Sequence, residues 1–246
     1  MQKRTVRIMD KKESFLEGLK DGIPIGTVYF TASLAFGIAA ISSGLNFWEA
    51  GFISLTNLTS AGQFAALGVI AGSGSYFEMM LTQLIINLRY MLMSLSLSQK
   101  LDDEEPRKHR FLVAFGITDE IFAISIKKKG KVSAFYNYGA MSVAIPGWVL
   151  GTVTGAVLGN ILPDMILSAL SIAIYAMFIG IIIPPAKADK NLYYIIIAAM
   201  VLSLLFGILP VLKDISSGFT IIIITVVVSA AAAILFPVSE GEKEAM

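Results

Sequence analysis

Cysteine is missing from all 246 residues, which excludes disulfides and thiol chemistry and leaves the redox compartment unmarked. Histidine occurs once, at His109, inside the charged loop 102–110, where it reads as a solvated loop residue. No grouping of His, Cys and carboxylates has the spacing of metal ligands, so neither a metal nor another cofactor is expected. Charge is scarce too: 15% of residues carry it, against about 25% in ordinary soluble domains. The shortage is localised. No Asp, Glu, Lys or Arg occurs in 22–48, 50–77, 133–163, 165–186, 191–212 or 215–239. Each window exceeds the roughly 20 residues that an α-helix needs to cross a hydrocarbon core of about 30 Å. With 56% hydrophobic residues, the chain reads as an all-α polytopic membrane protein whose constant partner is the lipid bilayer. Its net charge of +1 says little about other partners, and nucleic acid is not expected among them.

What charge there is has a pattern. Lys3, Arg4, Arg7, Lys11, Lys12 and Lys20 precede the first apolar window. That window is too long for a secretory signal, so it reads as a retained anchor with a cytoplasmic N-terminus. The expected organisation is a basic segment 1–21, one transmembrane domain 22–238 and a short polar tail 239–246. The first span is expected over 23–43, with Pro24 in its first turn, where the missing N–H costs nothing. Segment 50–72 is long enough to span but rich in small and polar residues, among them Ser54, Asn57, Thr59, Ser60, Gly62 and Gln63. Gly72-Ser73-Gly74-Ser75 reads as a flexible turn. A span follows over 79–97, then the charged loop 100–110. Next comes a short run, 111–126, interrupted at Gly116-Ile117-Thr118-Asp119-Glu120 and closed by four lysines in 127–131. Four more windows centre near residues 146, 173, 200 and 225, with a kink expected at Pro146.

Loop charges favour one arrangement of these pieces. Eight simple spans would put Lys100, Arg107, Lys108 and Arg110 outside, against the tendency of basic loops to stay in the cytoplasm. If 50–72 enters and leaves on the outer side, and 111–126 also fails to cross, every basic cluster falls inside. The expected fold is therefore six full transmembrane helices plus two broken, re-entrant segments. Eight spans remain the competing arrangement, because Asp102, Asp103, Glu104 and Glu105 dilute the misplaced charge.

Arg89 lies inside an apolar run, where a permanent cation costs at least about 2.5 kcal/mol on insertion scales. Such a cation needs a partner or a pathway. Asp119-Glu120, the acidic pair within apolar surroundings, can supply either. Thr118 followed by two acids has the form of a capped helix start. It is either a surface helix or a half-helix opening inside the membrane, as in many secondary transporters. Arg89 either locks two helices together through Asp119 or Glu120 or receives a substrate carboxylate. Gln83 and Asn87 share a helical face and can serve as inter-helix glue; Asn87, beside Arg89, can equally line a pathway. Small residues around Gly62 and Gln63 permit close packing or unwinding that frees backbone groups for a ligand. Ala35-Phe36-Gly37, with Gly26, can supply an apolar wall. The last three windows carry almost no buried polarity and read as scaffold or docking surface.

Several of these segments resemble the AzlC family, the large subunit of branched-chain amino acid exporters. They are Phe15-x-Glu17-Gly18 before Pro24, Ala35-Phe36-Gly37, Ala61-Gly62-Gln63-Phe64, Asn87-Leu88-Arg89-Tyr90 and Thr118-Asp119-Glu120-Ile121-Phe122-Ala123. They follow in the family's order over roughly residues 13–240. Two departures matter: Gly62 and Gln63 are adjacent, and Tyr90 stands where the family often has a histidine, so no proton role at that position carries over. The resemblance implies export of small hydrophobic amino acids across a bacterial plasma membrane, coupled to protons, with a small AzlD-type membrane subunit as partner. It implies a pathway through Asn57, Gly62, Gln63, Asn87, Arg89, Thr118, Asp119 and Glu120, and an apolar pocket at Phe36, Phe64 and Phe122. A non-enzymatic role is expected. A channel or a carrier of another small polar or amphipathic solute is the alternative. An intramembrane enzyme is disfavoured, since no histidine lies in a span and no second aspartate segment exists.

Overall fold

Backbone amides in lipid find no water, so a chain of this composition must satisfy them internally. Helices do this throughout. The structure is a computed structural model that describes residues 10–163, 165, 179–180, 182–184 and 186–236. Among these residues the one β contact is an isolated parallel bridge between Leu101 and Val132. The helices with defined bounds are α1 (Lys11–Ser42), α2 (Phe47–Thr56), α3 (Ser60–Ala71), α4 (Tyr76–Lys100), α5 (Lys108–Phe115), α6 (Asp119–Ile126), α7 (Ala134–Ile161), α8 (Lys190–Ile208) and α9 (Ser217–Leu235). Five of them, α1, α4, α7, α8 and α9, are long and apolar enough to cross a membrane. The chain is an all-α polytopic membrane protein. The sixth expected span, centred near residue 173, lies outside the described residues, as do Asp164, the first nine residues and the tail beyond 236.

Both segments read as broken are broken. The first divides into α2 and α3 around residues 57–59, the second into α5 and α6 around residues 116–118. Two local expectations need correction. Unwinding in the first segment falls at 57–59, whereas the small residues 60–62 are helical. Helix α1 begins at Lys11, not near residue 23, so Pro24 lies inside it. The extension is held from outside: Lys128 Nζ lies 2.9 Å from both Glu17 Oε1 and Asp21 Oδ2. Pro146 lies inside α7, which runs on without a break.

The residues form two compact units: Met1–Gln63 with Asn87–Ser171, and Phe64–Ile86 with Ile172–Met246. In the first, α1 and α7 are parallel and touch backbone to backbone. A Cβ at Gly18 would lie 1.9 Å from Tyr136 O, one at Gly22 2.7 Å from Ala140 Cα, and one at Gly37 2.1 Å from Thr152 O. From the other side, Gly147, Gly151 and Gly155 meet the carbonyl oxygens of Gly26, Phe30 and Leu34 at 2.5, 2.2 and 2.1 Å. Small residues at four-residue spacing are what close approach of membrane helices requires. The partners rise together in number along both helices, which sets the direction.

Depth along this pair places the rest of the unit. Residues 87–100 of α4 descend, since Arg89 lies level with the middle of α1 while Leu101 pairs with Val132, just before α7. Helix α5 starts at the lower end, where His109 Nδ1 is 2.8 Å from the Tyr138 hydroxyl and its ring packs on Phe135. His109 is therefore half-buried against aromatic rings, a correction to its reading as a solvated residue. Gly116, just past α5, meets the Met141 side chain. The chain then turns, and α6 runs back down: Ser125 Oγ donates to Asn137 Oδ1 at 2.9 Å, and Lys100 Nζ to Ile126 O at 3.0 Å. Segment 108–128 thus enters and leaves at one end of the pair, with Thr118, Asp119 and Glu120 at its tip.

The second unit holds the later part of α3, the first part of α4, α8 and α9. Turn 72–75 is closed by Gly74 N donating to Val69 O at 2.8 Å, and Ser73 takes a φ of 52°. Helices α8 and α9 pack on each other, and α8 buries none of its residues.

Candidate functional site

Thr118 caps α6 because its extended backbone turns its hydroxyl toward the Ile121 amide. That cap fixes the next two residues in the first turn, where the positive end of the helix dipole favours acids. Asp119 Oδ2 lies 3.1 Å from Arg89 Nη1. The guanidinium also donates to the Tyr90 hydroxyl at 3.3 Å and lies over that ring. Glu120 turns the other way and accepts a short hydrogen bond from the Tyr29 hydroxyl of α1. The arginine and both acids therefore share one place. They are not enclosed, however: the side chains of Arg89 and Asp119 remain 48% and 47% exposed. Apolar flanks do not bury the acids, because the helix begins with them and directs them away from Ile121, which is 1% exposed.

Behind Tyr29 a buried polar chain leads to the other break. Its ring meets Trp148 edge-on, centroids 5.4 Å apart. Trp148 Nε1 donates to Gln63 Oε1 at 2.9 Å. Gln63 Nε2 donates to Asn57 O at 2.7 Å and Ser54 Oγ at 3.1 Å. Ser54 Oγ and Thr152 Oγ1 are 2.7 Å apart. The Asn57 side chain accepts from Thr59 N and Thr59 Oγ1, at 3.2 and 2.8 Å. The Gln63 amide is fully employed in holding the α2–α3 break against α7. It is the bracket of the break, and Gly62 beside it is likewise buried.

The remaining candidates are dispersed. Asn87 is half-buried, one turn before Tyr90 on α4. Phe36 is 0% exposed on α1, and its neighbour Gly37, like Gly26, is pressed on α7 backbone. Phe122 packs on Leu97, Leu101, Val113, Ile117 and Ala134. Phe36 thus lies on α1 and Phe122 in the cluster between α4 and α5, while Gly26 and Gly37 form a packing surface against α7. Phe64 belongs to the second unit, where it is half-buried. Tyr29 and Trp148 were not foreseen, since aromatic residues in an apolar window read as core. A polar partner for Glu120 and for Gln63 was the signal available.

The family profile described as AzlC protein matches residues 24–162, more than half of the chain. The chain belongs to the AzlC family. Among relatives, it is 28% identical over 186 residues to the inner membrane protein YgaZ of Escherichia coli, covering 73% of this chain and 76% of that one. An uncharacterized membrane protein of Archaeoglobus fulgidus is 30% identical over 181 residues, covering 73% and 79% of the two chains. Another from Helicobacter pylori is 26% identical over 204 residues, covering 78% and 88%. No solved structure matches this chain. The AzlC match includes both breaks, Arg89, the Asp119-Glu120 tip and the tyrosine and tryptophan behind it.

Proposed function

We propose that this AzlC chain is a secondary transporter that exports neutral, mainly branched-chain amino acids across the bacterial plasma membrane, with a small AzlD-type subunit. The observation that carries it is the half-exposed Arg89–Asp119 pair beside Tyr29–Glu120, at the tip of a segment that enters and leaves at one end. A substrate carboxylate takes the place of Asp119 on Arg89. The freed acid, or Glu120, holds the ammonium group or a proton. Family membership supports this reading, as does the broken-helix geometry, the common way such carriers expose groups at mid-depth.

Orientation follows from charge. Lys11, Lys12, Lys20, Lys100, Arg110, Lys128 and Lys131 gather at the end where α1 and α7 begin. By the positive-inside tendency that end is cytoplasmic, and so is the N-terminus. The test is transport in vesicles with and without the candidate small subunit, using a panel of amino acids. A carrier shows trans-stimulation by unlabelled substrate, and D119N or E120Q abolishes drive by a pH gradient. Unchanged gradient-driven flux in both variants removes the coupling assignment; absence of trans-stimulation favours a channel.

A further inference from the structure

Gln63 braces the α2–α3 break, but its amide reaches further. The residue is 0% exposed, as are Ser54 and Thr152 beside it. Its partners fix which way the amide faces: the Trp148 N–H needs an oxygen, and the Asn57 carbonyl needs an N–H. A flipped amide would set donor against donor at 2.9 Å and acceptor against acceptor at 2.7 Å. The indole is held in turn, because swinging its N–H off Gln63 would strand a buried donor. Its ring meets Tyr29 at 78° between planes, an arrangement that attracts because the edge of one ring faces the π cloud of the other. Tyr29, itself buried, has its hydroxyl on Glu120. An amide at one break thus sets, through two aromatic side chains, where the acid at the other break finds its donor.

A second observation ties the same two places. Leu58, inside the first break, and Ile121, next to Glu120, belong to one buried apolar cluster with Tyr29 and Trp148. Interiors of this kind are close-packed and transmit strain, so displacing one member disturbs the others. Asp119 stands off this path, since it meets Arg89 of α4. The two acids of the tip therefore answer to different elements: Asp119 to α4, and Glu120 to α1, α7 and the α2–α3 break.

We infer that Gln63 is a positioning residue for Glu120, acting through Trp148 and Tyr29, so that the two broken segments respond to each other. Coupling between sites is reciprocal, so a change at Glu120 is felt at residues 57–63 as well. The first arm of the test is hydrogen exchange of the full chain in lipid vesicles. It follows the amides of Asn57, Thr59 and Gln63, which bond to Ile53 O, Asn57 Oδ1 and Thr59 O. Exchange is expected to quicken about fivefold in Y29F and E120A, the low end of ordinary coupling, and to keep the parent rate in D119A. Unchanged exchange in Y29F or in E120A overturns the inference. So does equal quickening in D119A, the mark of a tip loosened as a whole.

The second arm reads export and rests on the proposed transport role. Q63L and W148F are each expected to lower export about tenfold in the parent. In a Y29F background, where the hydroxyl they aim is already gone, each should lower it by less than about twofold further. Penalties that simply multiply overturn the positioning role, because a merely structural amide would act independently of that hydroxyl. The exchange arm uses neither a Gln63 variant nor a substrate. It decides the inference even where Q63L fails to fold, and a chain that exports no amino acid counts against the proposed function alone.

Discussion

Replacing Gly151 by alanine tests the contact on which the first unit is built. The added carbon would lie 2.2 Å from the Phe30 carbonyl oxygen, where ordinary contact begins at 3.4 Å. The obstacle is backbone, so no rotamer change relieves it, and α1 must move from α7 by roughly 1 Å along that stretch. Overpacking of this kind costs about 2–3 kcal/mol, the upper part of its usual range. For a chain of this size that lowers the melting temperature by roughly 4–12 °C. Tyr29, adjacent to Phe30, is carried off its hydrogen bond with Glu120. Gly159→Ala is the control: its nearest neighbours lie at 3.5 Å, an ordinary contact. There the helix gains roughly 0.5–1 kcal/mol because alanine loses less conformational freedom than glycine. Thermal unfolding of both variants in detergent reads the opposite signs directly. Equal melting temperatures for G151A and the parent would refute the backbone contact.

Three further outcomes follow from named contacts. Gln63→Leu leaves the buried Trp148 N–H without an acceptor, and a loss of about 1–3 kcal/mol is expected by chemical denaturation; a neutral effect would mean that the bracket is not formed. Tyr29→Phe removes the hydroxyl from Glu120 but keeps the ring on Trp148, so stability should change little while export falls about tenfold, equivalent to 1.4 kcal/mol in the barrier; undiminished export counts against the tip as the site. For Lys128, burial alone would lower the pKa, but hydrogen bonds and charge from Asp21 and Glu17 outweigh it and raise the value above 10.5. A raised lysine contributes stability that is complete below its unfolded value and lost as pH climbs through the folded one. Lys128→Met should therefore cost up to about 1 kcal/mol at neutral pH, allowing for partial exposure, with the difference from the parent closing in strong alkali.

Much of this was legible from embedded charge. Arg89 in an apolar run demanded an acid, Asp119 or Glu120, and in the structure Asp119 is the one that meets it. The breaks were legible from small and polar residues, but their positions were not fully so. Residues 60–62 pack well enough to remain helical, and it is Asn57 and Thr59, bonding to each other, that interrupt the chain. Helix α1 outran its apolar window because Glu17 and Asp21 find a lysine more than a hundred residues away, a pairing no local pattern announces. Tyr29 and Trp148 were hidden for a related reason, since an aromatic side chain in a span is ordinary core until its polar atom acquires a partner.

Two helices joined carbonyl to Cα have no side chains between them to repack, so they can neither slide nor rotate by small steps. Under the proposed transport, α1 and α7 must travel as a single girder. The exchange between inward-open and outward-open forms that the proposed carrier requires then falls to shorter pieces. The eight-residue α6 is the best placed, moored to that girder by Tyr29 at one end and Glu17 and Asp21 at the other. Freeing the first mooring while the second holds would swing the tip with its acids about a fixed foot.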